Sequence, residues 1–371
     1  MTSDGGARVA PPHFGSPVHR YWQIGGAVFS GQRRWRMRGL ALLLAVLAVA
    51  QVAVQLLLNV WSGAVFNAIE QRDTVGVLHQ VGVFAALATA FLALSGYSMF
   101  TKMRIQVEWR AWITNRLVSD WLAQGRNAEL AQMGLTHSNP DQRISEDVRI
   151  AAEGAVDFAE GIFRATLQLV SFVGVLWTLS GALEISLPPY VEFSVPGYLV
   201  WAAFAYAAVG TALTYLLGRP LVALNQEKLS NEANFRLDLQ KISETGADAA
   251  LPDCTDADRR ELGDSFARVI VTWRQLMLRT RSLSFMTSGY AILATGFPVL
   301  IAAPDYFAYV ITLGGLMQAT AAFITVQDTL SWFVNNYARF ADWSASVRRI
   351  STLRTALDEL MARDAPATIE K

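Results

Sequence analysis

Six long stretches of this sequence carry almost no charge, and nothing else in it constrains the fold as tightly. They are Gly39–Phe66, Val81–Phe100, Ala165–Gly181, Leu199–Leu217, Phe285–Ala303 and Phe307–Val334. A run of ~17–25 apolar residues crosses the ~30 Å hydrocarbon layer of a bilayer as a helix. Helix is the expected form, because lipid offers no hydrogen-bond partner to an open strand edge. Composition agrees, at 53% hydrophobic and 17% charged with a mean hydropathy of +0.28, against ~25% charged residues in a typical soluble domain. The last run is polar for a span, with Gln318, Gln327 and Asp328, so part of it is expected to face protein or water.

The formal net charge is zero, which argues against nucleic acid as a partner, and the placement of charge says more. Of the 31 lysines and arginines, 29 lie in residues 1–38, 102–149, 219–281 and 339–371. The connections between those regions, 67–74, 183–196 and 302–306, hold only Arg72. Such alternation follows the positive-inside rule for six spans with both termini cytoplasmic. The spans are predicted near 39–66, 81–100, 162–182, 197–217, 285–303 and 307–334. Residues 1–19 are polar, lack an apolar signal core and are expected to form a disordered cytoplasmic tail. Residues 356–371 are expected to form a second tail. A single cysteine, Cys254, rules out an internal disulfide and falls in a predicted cytoplasmic loop.

Tyr21–Phe29, followed by Trp35 among arginines, has the make-up of an amphipathic elbow helix lying at the membrane surface. Residues 101–125 keep apolar side chains at helical spacing (Met103, Val107, Ala111, Ile113, Leu117, Trp121), so span two is predicted to continue well beyond the bilayer. Residues 219–250 and 257–284 read the same way. A helix start is predicted at Ser145, running on to Gly181. The loop 183–197 is β-prone and punctuated by proline, which suggests a small hairpin. The expected fold class is therefore an all-α membrane protein. Its six long transmembrane helices, over 20–355 and preceded by the elbow, resemble the architecture of an ABC exporter transmembrane domain. In that architecture the turns near 124–142 and 245–258 are the coupling helices that touch an ATPase.

No Gly-x-x-x-x-Gly-Lys-Ser/Thr phosphate loop occurs in the chain, nor His-Glu-x-x-His, Gly-x-Ser-x-Gly or paired cysteines. With four scattered histidines, no metal, cofactor or enzymatic activity is expected. The segment Asn139-Pro140-Asp141-Gln142-Arg143, followed by Glu146 and Asp147, resembles the corresponding segment of YddA-like and peroxisomal-type ABC half transporters. Further matches are Leu176–Ser180, Gly218–Pro220, Ala303–Phe307, Leu313–Gln318 and Phe323–Gln327, running on to Trp343 and Arg348-Arg349. Arg143, Glu146 and Asp147 are also similar to the SbmA/BacA-like transporters, a group without an ATPase domain. That resemblance implies inner-membrane homodimers that import peptides on the proton gradient. The stretch Thr245–Cys254 departs from the ATPase-bearing relatives, since it lacks their aromatic residue and places Pro252 where a helix would continue.

Glu146, Glu153, Asp157, Glu160, Arg164 and Gln168 follow spacings of seven, four, three, four and four, which puts them on one helical face. Carboxylates in a low-dielectric cavity can take up and release protons near neutral pH. Glu153, Asp157, Glu160 and Arg164 are thus the proton-coupling candidates, unless they are solvated charges of a cytoplasmic extension. Gln168, Gln327, Asp328, Ser331 and Asn335 are the cavity or cargo candidates, with interhelical hydrogen bonding as the plain alternative. Asn139, Pro140, Asp141, Gln142, Arg143, Glu146 and Asp147 are expected to be structural. The expected function is a bacterial inner-membrane permease importing peptides or similarly sized hydrophilic compounds, driven by protons and working as a homodimer. One alternative is a permease served by a separate ATPase; another, of a different class, is a receptor or scaffold that transports nothing.

Overall fold

The computed structural model describes residues 34–132, 139–187, 191–247 and 256–364. The expected elbow at Tyr21–Phe29, the tail 1–19, Cys254 and most of the second expected coupling turn lie outside the described residues. In chain order the elements are α1 (Arg34–Glu70), α2 (Thr74–Leu122), a short α3 (Arg126–Gln132) and α4 (Pro140–Leu179). There follow β1 (Ala182–Leu187), β2 (Val191–Pro196), α5 (Tyr198–Ala247), α6 (Asp256–Phe307), α7 (Leu313–Asn335) and α8 (Tyr337–Asp364).

The chain breaks where local chemistry favours a break. Arg72 takes a left-handed φ of 57°. The carboxylate of Asp73 then accepts the Gly76 amide at 3.0 Å and caps α2. At its other end α2 stops at Gln124 and Gly125, both left-handed, which turns the chain into α3. Asn139 is left-handed as well, a conformation asparagine tolerates, and Pro140 supplies the fixed φ suited to the first turn of α4. Gly197 has a φ of 68°, and a Cβ there would lie 2.5 Å from the Trp177 ring, so this turn accepts glycine alone.

Among the described residues five helices, α1, α2, α4, α5 and α6, are long and apolar enough to cross a membrane. α7, the polar sixth run, falls short of that composition. In the most apolar stretch of α2 none of the residues is buried, as expected of a surface solvated by lipid rather than water. α2 continues to Leu122, α5 to Ala247, and α6 begins at Asp256, so the predicted extensions beyond the spans are present. β1 and β2 pair antiparallel from Ala182↔Pro196 to Leu187↔Val191, the predicted hairpin.

Three boundaries differ from the sequence reading. α4 begins at Pro140 rather than Ser145 and passes through a π-helical turn at Arg143–Asp147. α6 carries Pro298 and Pro304 inside it and ends at Phe307, so the connection to α7 is 308–312 rather than 302–306. Proline is tolerated inside membrane helices where neighbouring groups take over the freed carbonyls. α8 runs to Asp364 with Leu357 and Leu360 fully buried, past residue 355, where a tail was expected.

The chain divides into two compact units, residues 1–171 with 332–371, and residues 172–331. In the first, α1 pairs with α2, and α8 packs on α2 and the start of α4. Its core contains Met37, Ile105, Trp109, Ile113, Leu117, Val148, Trp343, Val347, Ile350, Leu353 and Leu357. Ion pairs border this core, among them Arg354 with both Asp120 and Asp358. In the second unit α5 and α6 pair along their length. Tyr206 and Tyr290 stack at 4.4 Å, and each hydroxyl donates to the other residue's backbone carbonyl, at 2.6 and 2.8 Å.

Candidate functional site

Asp157 is the centre of the polar face of α4. Its Oδ1 lies 3.4 Å from Lys102 Nζ and accepts from Gln106 Nε2 at 2.9 Å, both on α2. Its Oδ2 accepts from Arg339 Nη2 of α8 at 2.9 Å. Three helices are thereby tied through one carboxylate. Gln106 also donates to the Glu153 carbonyl at 3.2 Å, one turn earlier on α4.

The other members of that face have different neighbours. The Glu153 carboxylate meets Arg149 at 3.1 Å and is 40% exposed. The Glu160 carboxylate pairs with Arg164 at 3.4 Å and is only 8% exposed. It lies in the lining of an otherwise apolar groove between α1, α2 and α4. Gln168 donates to Gln55 Oε1 of α1 at 2.7 Å. Charges drawn from sequence spacing as one ladder are thus one bridged node at Asp157 with a local pair on either side.

In α7 Gln327 is buried and donates to Ser331 Oγ at 3.2 Å, a bond within its own helix. Asp328 and Asn335 are exposed on the single chain, and Asp328 has no ion pair among the described residues. Asn336 interrupts the helix, and its Oδ1 accepts from Arg339 Nη1 at 3.3 Å, the same guanidinium that donates to Asp157.

The Asn139–Asp147 segment forms the second polar centre. Asp147 is 5% exposed, and its two oxygens accept from Arg349 Nε at 2.8 Å and Nη2 at 2.5 Å. That hydrogen bond, more than the neighbouring acids, raises the Arg349 guanidinium above its ordinary pKa. Arg143 Nη1 donates to the Arg349 carbonyl at 3.4 Å, and Gln142 Nε2 to Glu146 Oε2 at 3.3 Å. These side chains, with Asn139 and Ile150, line a polar cavity of ≈ 330 Å³. Asp141 is exposed. Through Asp147 and Arg143 the segment ties α4 to Arg349 of α8.

Sequence reasoning missed Lys102 and Gln106, because nothing in the spacing of α2 marks them off from its other polar residues. It also missed two close packings. Gly154 lies under Trp343, where a Cβ would come within 2.4 Å of the ring, and Gly161 lies under Trp332, at 2.3 Å. Trp343 Nε1 donates to the Ala151 carbonyl at 3.0 Å, so this indole serves packing.

Long apolar helices define the class: a multi-pass membrane protein. Residues 26–307 match the family model described as ABC transporter transmembrane region 2, and the chain belongs to that family. It is 29% identical over 84% of its length to the inner membrane ABC transporter ATP-binding protein YddA of Escherichia coli, covering 56% of that protein. It is 25% identical over 81% of its length to an uncharacterised ABC transporter ATP-binding protein of Haemophilus influenzae, covering 50% of it. Over 88% of its length it is 25% identical to ABC transporter D family member 2, chloroplastic, of Arabidopsis thaliana, covering 44%. The chain spans about half the length of the curated relatives it matches.

Proposed function

We propose that this chain is a permease that imports peptides or similarly sized hydrophilic compounds across a bacterial inner membrane, as a homodimer with both termini cytoplasmic. The observation that carries the reading is the Asp157 node. A carboxylate bridged to Lys102 and Arg339 holds α2, α4 and α8 in one arrangement. A change of charge there would release two ion pairs at once, and a ligand or proton shifts a conformational equilibrium only through such differential interactions. Protonation of Asp157, with Glu160 beside it, is the proposed coupling to the proton gradient.

The relatives favour a second reading of the driving force, since those named above carry "ATP-binding protein" or "ABC transporter" in their names. In that reading the node transmits motion from an ATPase, and the cargo path is unchanged. Uptake of a labelled cationic peptide into proteoliposomes holding this chain separates the two. Uptake driven by an imposed pH gradient without ATP, collapsed by a protonophore and weakened in Asp157→Asn and Glu160→Gln, supports proton coupling. Uptake that requires an added ATPase and ATP, with a pH gradient ineffective, supports the second. Failure of both, by folded protein, removes the transport reading for this cargo.

A further inference from the structure

We propose that the groove between α1, α2 and α4 is a binding site for one acyl chain of an anionic phospholipid, whose phosphate is held by Arg34 and Arg38. The groove has a volume of ≈ 190 Å³. Its walls are Ala41, Leu44, Ala45 and Ala48 of α1, Ile105 and Trp109 of α2, and Ala155, Val156, Ala159 and Phe163 of α4. Glu160 is the single polar residue in the lining, and its carboxylate is satisfied by Arg164. Apart from that carboxylate the lining is apolar, so the groove admits a hydrocarbon segment.

The position of the charges identifies the occupant. Arg34, Arg38, Ala41, Ala45 and Ala48 follow spacings of four, three, four and three, which places them on one face of α1. The two arginines are exposed at the start of that face and have no ion pair among the described residues, whereas Arg36, on the opposite face, is paired with Glu108 at 3.2 Å. Trp35 lies beneath both guanidinium groups, 5.7 and 5.9 Å from them, as an indole does at the headgroup level. From Arg38 to Ala48 the helix rises ~15 Å, a span that one lipid covers from its phosphate into its acyl chain. Beside the groove Leu42, Val46, Val49, Ile162 and Phe163 are exposed, so it is open to surrounding hydrocarbon. A guanidinium pair recognises phosphate oxygens through directed, charge-assisted hydrogen bonds; a zwitterionic headgroup gives part of this back by bringing its own cation.

The test is native mass spectrometry of the detergent-purified chain titrated with phosphatidylglycerol and with phosphatidylcholine of the same acyl chains. The expected result is a bound phosphatidylglycerol favoured about thirtyfold, as two basic residues at the headgroup would give. Arg34→Gln with Arg38→Gln should bring the two lipids to near-equal retention. Ala45→Trp should reduce retention of both by filling the groove, and the milder Ala41→Phe, at an exposed wall, serves if Ala45→Trp fails to fold. Equal binding of the two lipids by the unmodified chain overturns the proposal. So does unchanged retention in the groove-filled variant, or a groove-filled variant that loses its oligomeric state while keeping its lipid, which would give the groove to a second copy of the chain.

Discussion

Asp147 and Asp157 sit three turns apart on one helix, yet substitution of each should give a different signature. Asp147 is buried and bidentate to Arg349. Asp147→Asn removes the charge assistance and turns one acceptor into a donor facing a guanidinium. Because Arg349 is 46% exposed, water recovers part of the loss, and the expected cost is about 1–3 kcal/mol. Thermal unfolding in detergent should show that loss. In a cycle with Arg349→Met the second substitution should cost markedly less than it does alone. Asp157 is bridged by cations on two other helices, so Asp157→Asn should alter uptake while leaving the melting temperature closer to that of the unmodified protein. Gly154→Ala is a third case: the new Cβ would fall 2.4 Å from the Trp343 ring, and overpacking of this kind costs about 1–3 kcal/mol. Trp343→Leu in the Gly154→Ala background should then be less harmful than Trp343→Leu alone. Sequence spacing placed the acids of α4 on one face, because a helix is periodic. It could not supply Arg349, 202 positions from Asp147, or Lys102 and Gln106, because those contacts depend on how helices cross.

At the scale of elements, the helices were readable because each obeys a local rule: absence of charge within the spans and helical spacing of apolar residues beyond them. The hairpin was readable for the same reason, its prolines and β-branched residues acting locally. What misled was also local. Pro304 has the look of a helix end but lies inside α6, and Ser145 has the look of a cap but lies inside a π-helical turn. The pairing of α5 with α6 was invisible in sequence and includes a small device. Tyr206 and Tyr290 exchange hydroxyl-to-carbonyl hydrogen bonds over Gly210, where a Cβ would meet the Tyr290 ring at 2.2 Å. Tyr206→Phe or Tyr290→Phe each loses one hydrogen bond and should cost about 0.5–1.5 kcal/mol. Gly210→Ala, which forces the rings away from the helix, should cost more than either, about 1–3 kcal/mol. Midpoints of denaturation in mixed micelles of rising SDS content rank the three. A Gly210→Ala variant as stable as the unmodified chain would mean that the helices can part here without loss.

For the molecule as a whole, α7 falls short of the composition by which five other described helices qualify as spans. We propose that it crosses, on two independent arguments. α8 packs on the far end of α2 and on the start of α4, with Arg354 paired to Asp120 and Arg349 to Asp147. It must therefore lie on the same side of the bilayer as those ends. With α6 crossing once between Asp256 and Phe307, as its length and composition allow, a further crossing by α7 would return the chain to that side. The charge pattern asks for the same thing, because six basic residues in 339–371 would otherwise be translocated. The polarity of α7 is then the mark of a span that faces protein or a water-filled path rather than lipid. A membrane-impermeant maleimide applied to intact cells reads the answer. The native Cys254 should label only after permeabilisation. In a Cys254→Ser background, Arg72→Cys, in the exposed link between α1 and α2, should label at once. Glu359→Cys on α8 decides the matter: protection until permeabilisation means that α7 crosses, and labelling from outside would leave five spans and put α8 on the opposite face from the helices it packs against.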